Sequence, residues 1–236
     1  MLACMVFLNL FLKKSGVSLF VVTTACVLEP ANVYLDSMDF TSAELFLIEK
    51  DPKLGAVIQA HGHLDMRPER AEFESLVRSI IGQQISVKAA SSIYQRLVTA
   101  TKLEPNVIAS LNEAQIKEIG LSQSKARYLT DLAEHFVRDA SVFNHLAELV
   151  DADVITELTR IKGIGIWTAQ MFLMFTLRRP DVFAPDDHGL QNAVERIYEY
   201  SEKLKRAELE QIAENWSPYR TTASLHLWHS LKNEPV

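Results

Sequence analysis

The residues of this chain with the most chemical potential are two glycines, a tryptophan and an aspartate. Gly163 and Gly165 stand one apolar residue apart in the run Leu158-Thr159-Arg160-Ile161-Lys162-Gly163-Ile164-Gly165-Ile166-Trp167-Thr168-Ala169. Glycine reaches positive φ without steric cost, so the pair predicts a sharp turn between two short helices. The helix that follows must begin with unpaired N–H donors at the positive end of its dipole, a seat for phosphate oxygens. Ile161 and Ile164 would anchor such a hairpin from below. Asp187 follows 22 positions after Gly165, just before another predicted helix, where the dipole attracts an anion. A carboxylate there can stabilise developing positive charge or activate water. Taken alone, Asp186 and Asp187 read equally well as helix N-caps. Trp167 adds an indole face, which attracts cationic, electron-poor rings by roughly 0.5 to 2 kcal/mol.

Helices must position these groups. The chain has 236 residues, 48% of them hydrophobic, enough for one or two cores, and only eight glycines and eight prolines. No strongly alternating segment stands out, so an all-α fold is expected. Thr41 or Ser42 caps a helical stretch that the Asp51-Pro52 pair breaks in two. Phe73, Leu76, Val77, Ile80 and Ile81 form the apolar stripe of a buried helix, which ends in Gly82-Gln83-Gln84-Ile85-Ser86, with Ser86 capping the next helix. Gly120-Leu121-Ser122 opens a further helix carrying Lys125, Arg127, Leu129, Leu132 and Phe136. Asp153 is expected to cap the first hairpin helix, Thr168 to Leu177 to form the second, and residues from about Leu190 to Tyr200 to form the helix after Asp187. Pro218 is expected to open the last helix.

The hairpin, its spacing to Asp187 through Pro180 and Phe183-Ala184-Pro185-Asp186-Asp187, the Ile80-Ile81-Gly82-Gln83-Gln84-Ile85-Ser86 turn, and the Gly120-Leu121-Ser122 and Pro218-to-Trp228 segments together resemble the helix-hairpin-helix (HhH-GPD) DNA glycosylase superfamily. The resemblance covers roughly residues 70 to 230 and is closest in pattern to the alkylpurine (3-methyladenine, AlkA-like) type. It implies a bilobal helical fold with the active-site cleft between two helical subdomains, and an enzyme that flips alkylated purines such as 3-methyladenine and 7-methylguanine out of duplex DNA and hydrolyses the N-glycosidic bond in base excision repair. Asp187 is then the catalytic carboxylate beneath an oxocarbenium-like sugar, with Asp186 as the fallback if the register is off by one. Trp167, His188, Tyr219 and Trp216 are the implied pocket wall, with core packing as the plain alternative for each aromatic. DNA would be held by Lys162, Gly163, Ile164, Gly165, Trp167 and Thr168 of the hairpin, by Lys125, and by Gln83 and Gln84. Gln84 takes the wedge register, where the best known relatives have an apolar side chain, and Gln83 supports the turn. Bifunctional members place a lysine two residues after the second glycine. Here that residue is Trp167, so a monofunctional enzyme without lyase activity is expected. The alternatives are a non-catalytic helix-hairpin-helix DNA-binding module, or a glycosylase of other damaged bases.

A net charge of −6 is unusual for a DNA-binding protein. Backbone amides need few cationic side chains, however, and Arg78, Lys88, Lys125, Arg127, Arg160, Lys162, Arg178 and Arg179 cluster near the expected DNA face, so weak, salt-sensitive non-specific binding is expected. Cys4 and Cys26 are the only cysteines, too few for a disulfide framework, a four-cysteine zinc site or an iron–sulfur cluster. No cofactor or metal is expected, and solvated loop residues are the plain reading of His61 and His63. Residues 1–37 read as a non-conforming apolar extension whose two runs each fall short of a spanning helix, with Met38 as the expected start and residues 38–236 as the glycosylase domain. A membrane-tethering or targeting role for that extension is the other reading. A monomer is implied, acting on double-stranded DNA within a DNA-containing compartment, a nucleoid or a nucleus.

Overall fold

In the computed structural model, residues 41–65, 71–143 and 145–232 are described. They form thirteen α-helices and, among the described residues, no strand. The chain divides at residue 37, and every described residue lies in the unit Met38–Val236. The expected apolar extension and both cysteines lie outside the described residues.

Local chemistry sets the helix starts. Thr41 and Glu44 form a reciprocal capping box that opens α1 (Ser42–Lys50). Asp51 ends α1 and caps α2 (Pro52–His61) through the Lys53 and Leu54 amides, with Pro52 in the first turn, where its missing N–H is harmless. The stripe at Leu76, Val77, Ile80 and Ile81 is buried on α3 (Glu72–Gly82), and Ser86 caps α4 (Val87–Thr101). Short helices α5 (Pro105–Ala109) and α6 (Glu113–Ile119) lead to Ser122, which caps α7 (Gln123–Arg138). A turn of helix, α8 (Ala140–Phe143), precedes the hairpin pair α9 (Asp151–Thr159) and α10 (Ile166–Phe175). α11 (His188–Ile197), α12 (Arg206–Glu214) and α13 (Arg220–Ser230) complete the chain.

Two of the expected caps are corrected. α9 starts two residues before Asp153, after Val150, and has no side-chain cap. Pro218 precedes α13 rather than opening it, because the Tyr219 amide donates back to the Trp216 carbonyl and the helix begins at Arg220.

The helices pack as two groups. α3 to α10 pack among themselves, while α1 and α2 pack on α13, which also packs on α11. The first and last parts of the domain therefore build one lobe and the middle builds the other. Leu47, Leu54 and Ile58 of the first lobe and Leu97, Leu132 and Leu158 of the second are fully buried, each worth about 1.5–3 kcal/mol of transfer free energy. Asp51 fastens the first lobe further. Its carboxylate accepts from the Trp216 indole at 2.9 Å and from the Tyr198 hydroxyl. Burial and that carboxylate push the Tyr198 phenol well above its ordinary range.

The contact of α1 and α2 with α13 is built around histidines. Glu44, 1% exposed, accepts from the Leu64 amide and bonds His63 Nδ1 at 3.0 Å and His226 Nε2 at 3.1 Å. His61 stacks on His226 and meets His229 edge-on. Burial opposes ionisation of Glu44, but hydrogen bonds from Thr41, His63 and Leu64 outweigh it and hold its pKa at about 2. Burial pushes His226 down to about 4 against the pull of Glu44, and burial with nearby His229 lowers His61; the bond to Glu44 raises His63.

The signs follow from linkage. An unfolded histidine protonates near 6.5, but folded His226 resists until about 4, so folding loses stability as pH falls through that window. The loss from His226 reaches about 3 kcal/mol, partly offset by His63. Below 4.5 the depressed pKa of Glu44 removes more. Thermal denaturation followed from pH 7 to pH 4 should therefore show a falling Tm, and His226→Gln, which cannot charge, should flatten the fall between pH 6.5 and 4.

Candidate active site

The expected hairpin joins α9 to α10, with its Ile161 and Ile164 side chains buried beneath it. Gly163 is the residue that requires glycine. Its φ is +84°, and a Cβ would lie 2.3 Å from the Tyr128 ring. Gly165 differs from expectation: its φ of −99° is open to any residue, and a Cβ there would meet nothing within 4 Å. Gly165 caps α10 without a side chain, leaving the approach to the helix N-terminus bare. Ala169 is the first α10 amide to find a backbone acceptor, the Gly165 carbonyl, so the Ile166, Trp167 and Thr168 amides sit in the turn that lacks intrahelical partners. These bare amides stand where the sequence predicts a phosphate seat.

Asp187 stands at the junction of the lobes. It caps α11, its Oδ1 accepting from the Leu190 amide at 2.8 Å. Oδ1 also accepts from Trp228 Nε1 at 2.9 Å, and Oδ2 accepts from Trp167 Nε1 at 2.8 Å. One indole comes from the start of α10 and the other from the end of α13, so each lobe supplies a donor to the same carboxylate. Trp167 is 45% exposed, and beside it Ile166 is 50% exposed. Asp186 is instead an exposed partner of Arg206 at 2.6 Å.

The loop before Asp187 is tied to the start of α13. Arg220 donates to both oxygens of Asp181 at 2.6 and 2.8 Å, and Ser217 donates to one of them. Burial works against the Asp181 charge, but Arg220 and Ser217 outweigh it and hold the carboxyl below its usual range. The Thr221 hydroxyl donates to the Arg179 carbonyl and accepts from the Val182 amide, while Gln170 holds the Phe183 carbonyl. Thr221 of α13 and Gln170 of α10 thus satisfy three of the loop's backbone groups and restrain its approach to Asp187.

The remaining expected site residues are dispersed. Trp216 is fully buried, its indole bonded to Asp51, and so lies in the core rather than on a cleft wall. Tyr219 packs edge-on against Phe46 before α13. It precedes Trp228 by nine residues, at the opposite end of α13. His188 is exposed on the first turn of α11 and bonded to Gln191. Lys125 does not reach outward: its ammonium donates to the Ile81 carbonyl at 2.7 Å. Lys162 pairs with Asp131 at 2.9 Å, and Gln83 donates to the Gly163 carbonyl at 2.8 Å. Gln84 is exposed at the tip of the α3–α4 turn, with φ +57°. Arg78, Arg160 and Arg179 each pair with a carboxylate, so much of the expected basic surface is internally neutralised.

Trp228, Gly189 and the Asp181–Arg220 pair were missed by the sequence reading. The family-like C-terminal helix carries Trp228, but no spacing rule connects residue 228 to residue 187. Gly189 lets the indole approach: a Cβ there would lie 3.0 Å from Asp187 Oδ1 and 3.1 Å from Trp228 Cδ1. Among the described residues no group of three or more His, Cys, Asp or Glu side chains could hold a metal ion, and no helix is long and apolar enough to cross a membrane.

With this geometry in place, known proteins supply the class. The model of the HhH-GPD superfamily of base excision DNA repair proteins matches residues 77–218, and the chain belongs to that family. It is similar to the crystal structure of a DNA-3-methyladenine glycosidase from Bacillus halodurans, with 32% identity and a TM-score of 0.74 over 82% of this chain and 90% of that one. It is also similar to the Schizosaccharomyces pombe 3-methyladenine DNA glycosylase Mag1 in complex with abasic DNA, with 27% identity and a TM-score of 0.69 over 81% of this chain and 97% of that one. A Bacillus subtilis protein, YfjP, is 29% identical over 188 residues, 76% of this chain and 66% of that one.

Replacing Gly163 by alanine should strain the hairpin, because a left-handed residue with a Cβ costs on the order of 1–2 kcal/mol and Tyr128 must also move. The same change at Gly165 should be nearly neutral for stability. Paired melting curves of Gly163→Ala and Gly165→Ala test this, with the larger Tm loss expected for the first.

Proposed function

We propose that this protein is a monofunctional DNA glycosylase that excises alkylated purines of the 3-methyladenine and 7-methylguanine type from duplex DNA. The observation that carries the reading is the Asp187 carboxylate set between the indoles of Trp167 and Trp228 at the meeting of the lobes. A carboxylate there can stabilise the positive charge that develops on the sugar as the N-glycosidic bond breaks, and can orient the attacking water. The hairpin amides would hold the backbone of the flipped strand while the indole faces meet the cationic base.

Thr168, next to Trp167, and Phe175, packed against Trp228, both line a cavity of about 250 Å³ between α3 and α10. Its other walls include Ser79, Met171 and Phe172. Asp187 and the two indoles do not line it; it adjoins them only through Thr168 and Phe175. Methylated purines are already good leaving groups, so selectivity can rest on lesion reactivity and weakened stacking, with little acid catalysis required. The names of the similar Bacillus halodurans and fission yeast proteins support this substrate class.

Trp167 stands where a bifunctional relative would have its lysine, so the position offers no amine to attack the sugar. The product would be an intact abasic site. The competing reading, a binding module in which Asp187 only caps α11, accounts for the Leu190 bond but leaves the converging indoles without a purpose.

Release of free bases from methylated duplex DNA should be lost by at least about a hundredfold in Asp187→Asn, in keeping with removal of a principal electrostatic stabiliser. Full activity in that variant would remove the catalytic assignment. Borohydride should trap no covalent enzyme–DNA adduct with the wild-type protein, and strand breaks should appear only after alkali; a trapped adduct would show that an amine elsewhere attacks the sugar.

A further inference from the structure

One face of α7 holds both surfaces that the glycosylase reading brings against DNA. Lys125, Tyr128 and Asp131 recur every three residues, so they lie along one side of that helix. Lys125 Nζ donates to the Ile81 carbonyl in the last turn of α3, immediately before the turn that carries Gln84. The Tyr128 ring lies against Gly163 in the hairpin. Asp131 accepts from both the amide and the ammonium of Lys162, at 2.9 Å each. A fourth tie closes the circuit directly: Gln83 Nε2 donates to the Gly163 carbonyl.

These ties meet a particular need. Gln84 is exposed and holds a left-handed conformation that residues with a Cβ disfavour, so the turn needs external restraint to keep that shape. Gln83 and Lys125 supply it from the α3 side, one through the residue just before Gln84 and the other through the last turn of the helix. Lys125 places its positive charge on the carbonyl end of α3, where the helix dipole is negative. Burial lowers the proton affinity of that ammonium, as expected for a lysine turned inward.

We propose that Gln83 and Lys125 are positioning residues that fix Gln84 at a set distance from the phosphate seat, so that docking of the backbone on the hairpin carries Gln84 into the stack as the damaged nucleotide leaves. Neither side chain touches DNA in this account. The proposal rests on the glycosylase reading. Its distinct content is that eversion, rather than binding or bond cleavage, depends on the two ties.

The test uses Gln83→Leu and Lys125→Met on a duplex carrying a stable abasic-site analogue opposite 2-aminopurine, whose fluorescence rises when it is unstacked. Base release from methylated duplex is measured in parallel. Both variants should bind the abasic duplex within about threefold of wild type, a difference of about 0.65 kcal/mol, yet give little of the wild-type fluorescence rise. Single-turnover release from a fully paired site should slow about tenfold or more, and release of the same lesion opposite a mismatch should slow less, because eversion there is cheaper. Lys125→Arg, which can still donate to the Ile81 carbonyl, should recover most of the signal.

Equal slowing on paired and mismatched sites would overturn the proposal, since a general structural fault would act on both. So would a wild-type fluorescence rise in the variants, or no rise in the wild type. A wild type that brightens the probe but releases no base would end the glycosylase reading, and the variants' fluorescence would still decide the tie.

Discussion

The arrangement depends on one carboxylate shared between two lobes. Asp187 receives an indole N–H from α10, another from α13 and a backbone amide from its own helix. Each donor fixes a different degree of freedom. The amide sets the depth of the side chain at the helix start, and the indoles set the rotation of the carboxylate plane. Such preorganisation matters because electrostatic stabilisation of a charged transition state is strong only when the stabilising group need not reorganise as charge appears. The two lobes are thus joined at the point where chemistry is expected.

Much of the rest of the fold is support for that point. The Asp181–Arg220 pair and Thr221 fasten the loop before Asp187 to the beginning of α13, whose far end presents Trp228. α13 is itself seated on α1 and α2 through Glu44 and His226, a buried pair whose two partners resist protonation over different pH ranges. Acid that loosens the seat of α13 would reach the site through Trp228, a physical route from a remote cluster to the carboxylate.

The hairpin side is organised differently. There the proposed anion seat is made of backbone amides, which fits a chain of net charge −6 in which Arg78, Arg160, Lys162 and Arg179 are already paired with carboxylates. Those cationic side chains serve to hold the structure, and under the proposed function the helix end would supply the attraction for phosphate.

The sequence by itself determined nine of the thirteen helices, though not α5, α6, α8 and α12, together with the hairpin and the separation of Gly163 from Asp187, because these rest on short-range rules: apolar spacing, capping residues, and glycine where φ is positive. It placed Asp187 at a helix start, and the absence of a lysine at position 167 was equally plain. What it could not decide was which distant side chains converge. Trp216 and Trp228 were indistinguishable as isolated aromatics in a C-terminal stretch, yet packing sends one to Asp51 in the core and the other to Asp187 in the cleft. Lys125 read as a phosphate ligand until the fold brought the Ile81 carbonyl within its reach. Gly165 read as a conformational glycine, but its backbone is ordinary. In each case the outcome depends on contacts between residues far apart in the chain, and only the packed tertiary structure brings those residues together.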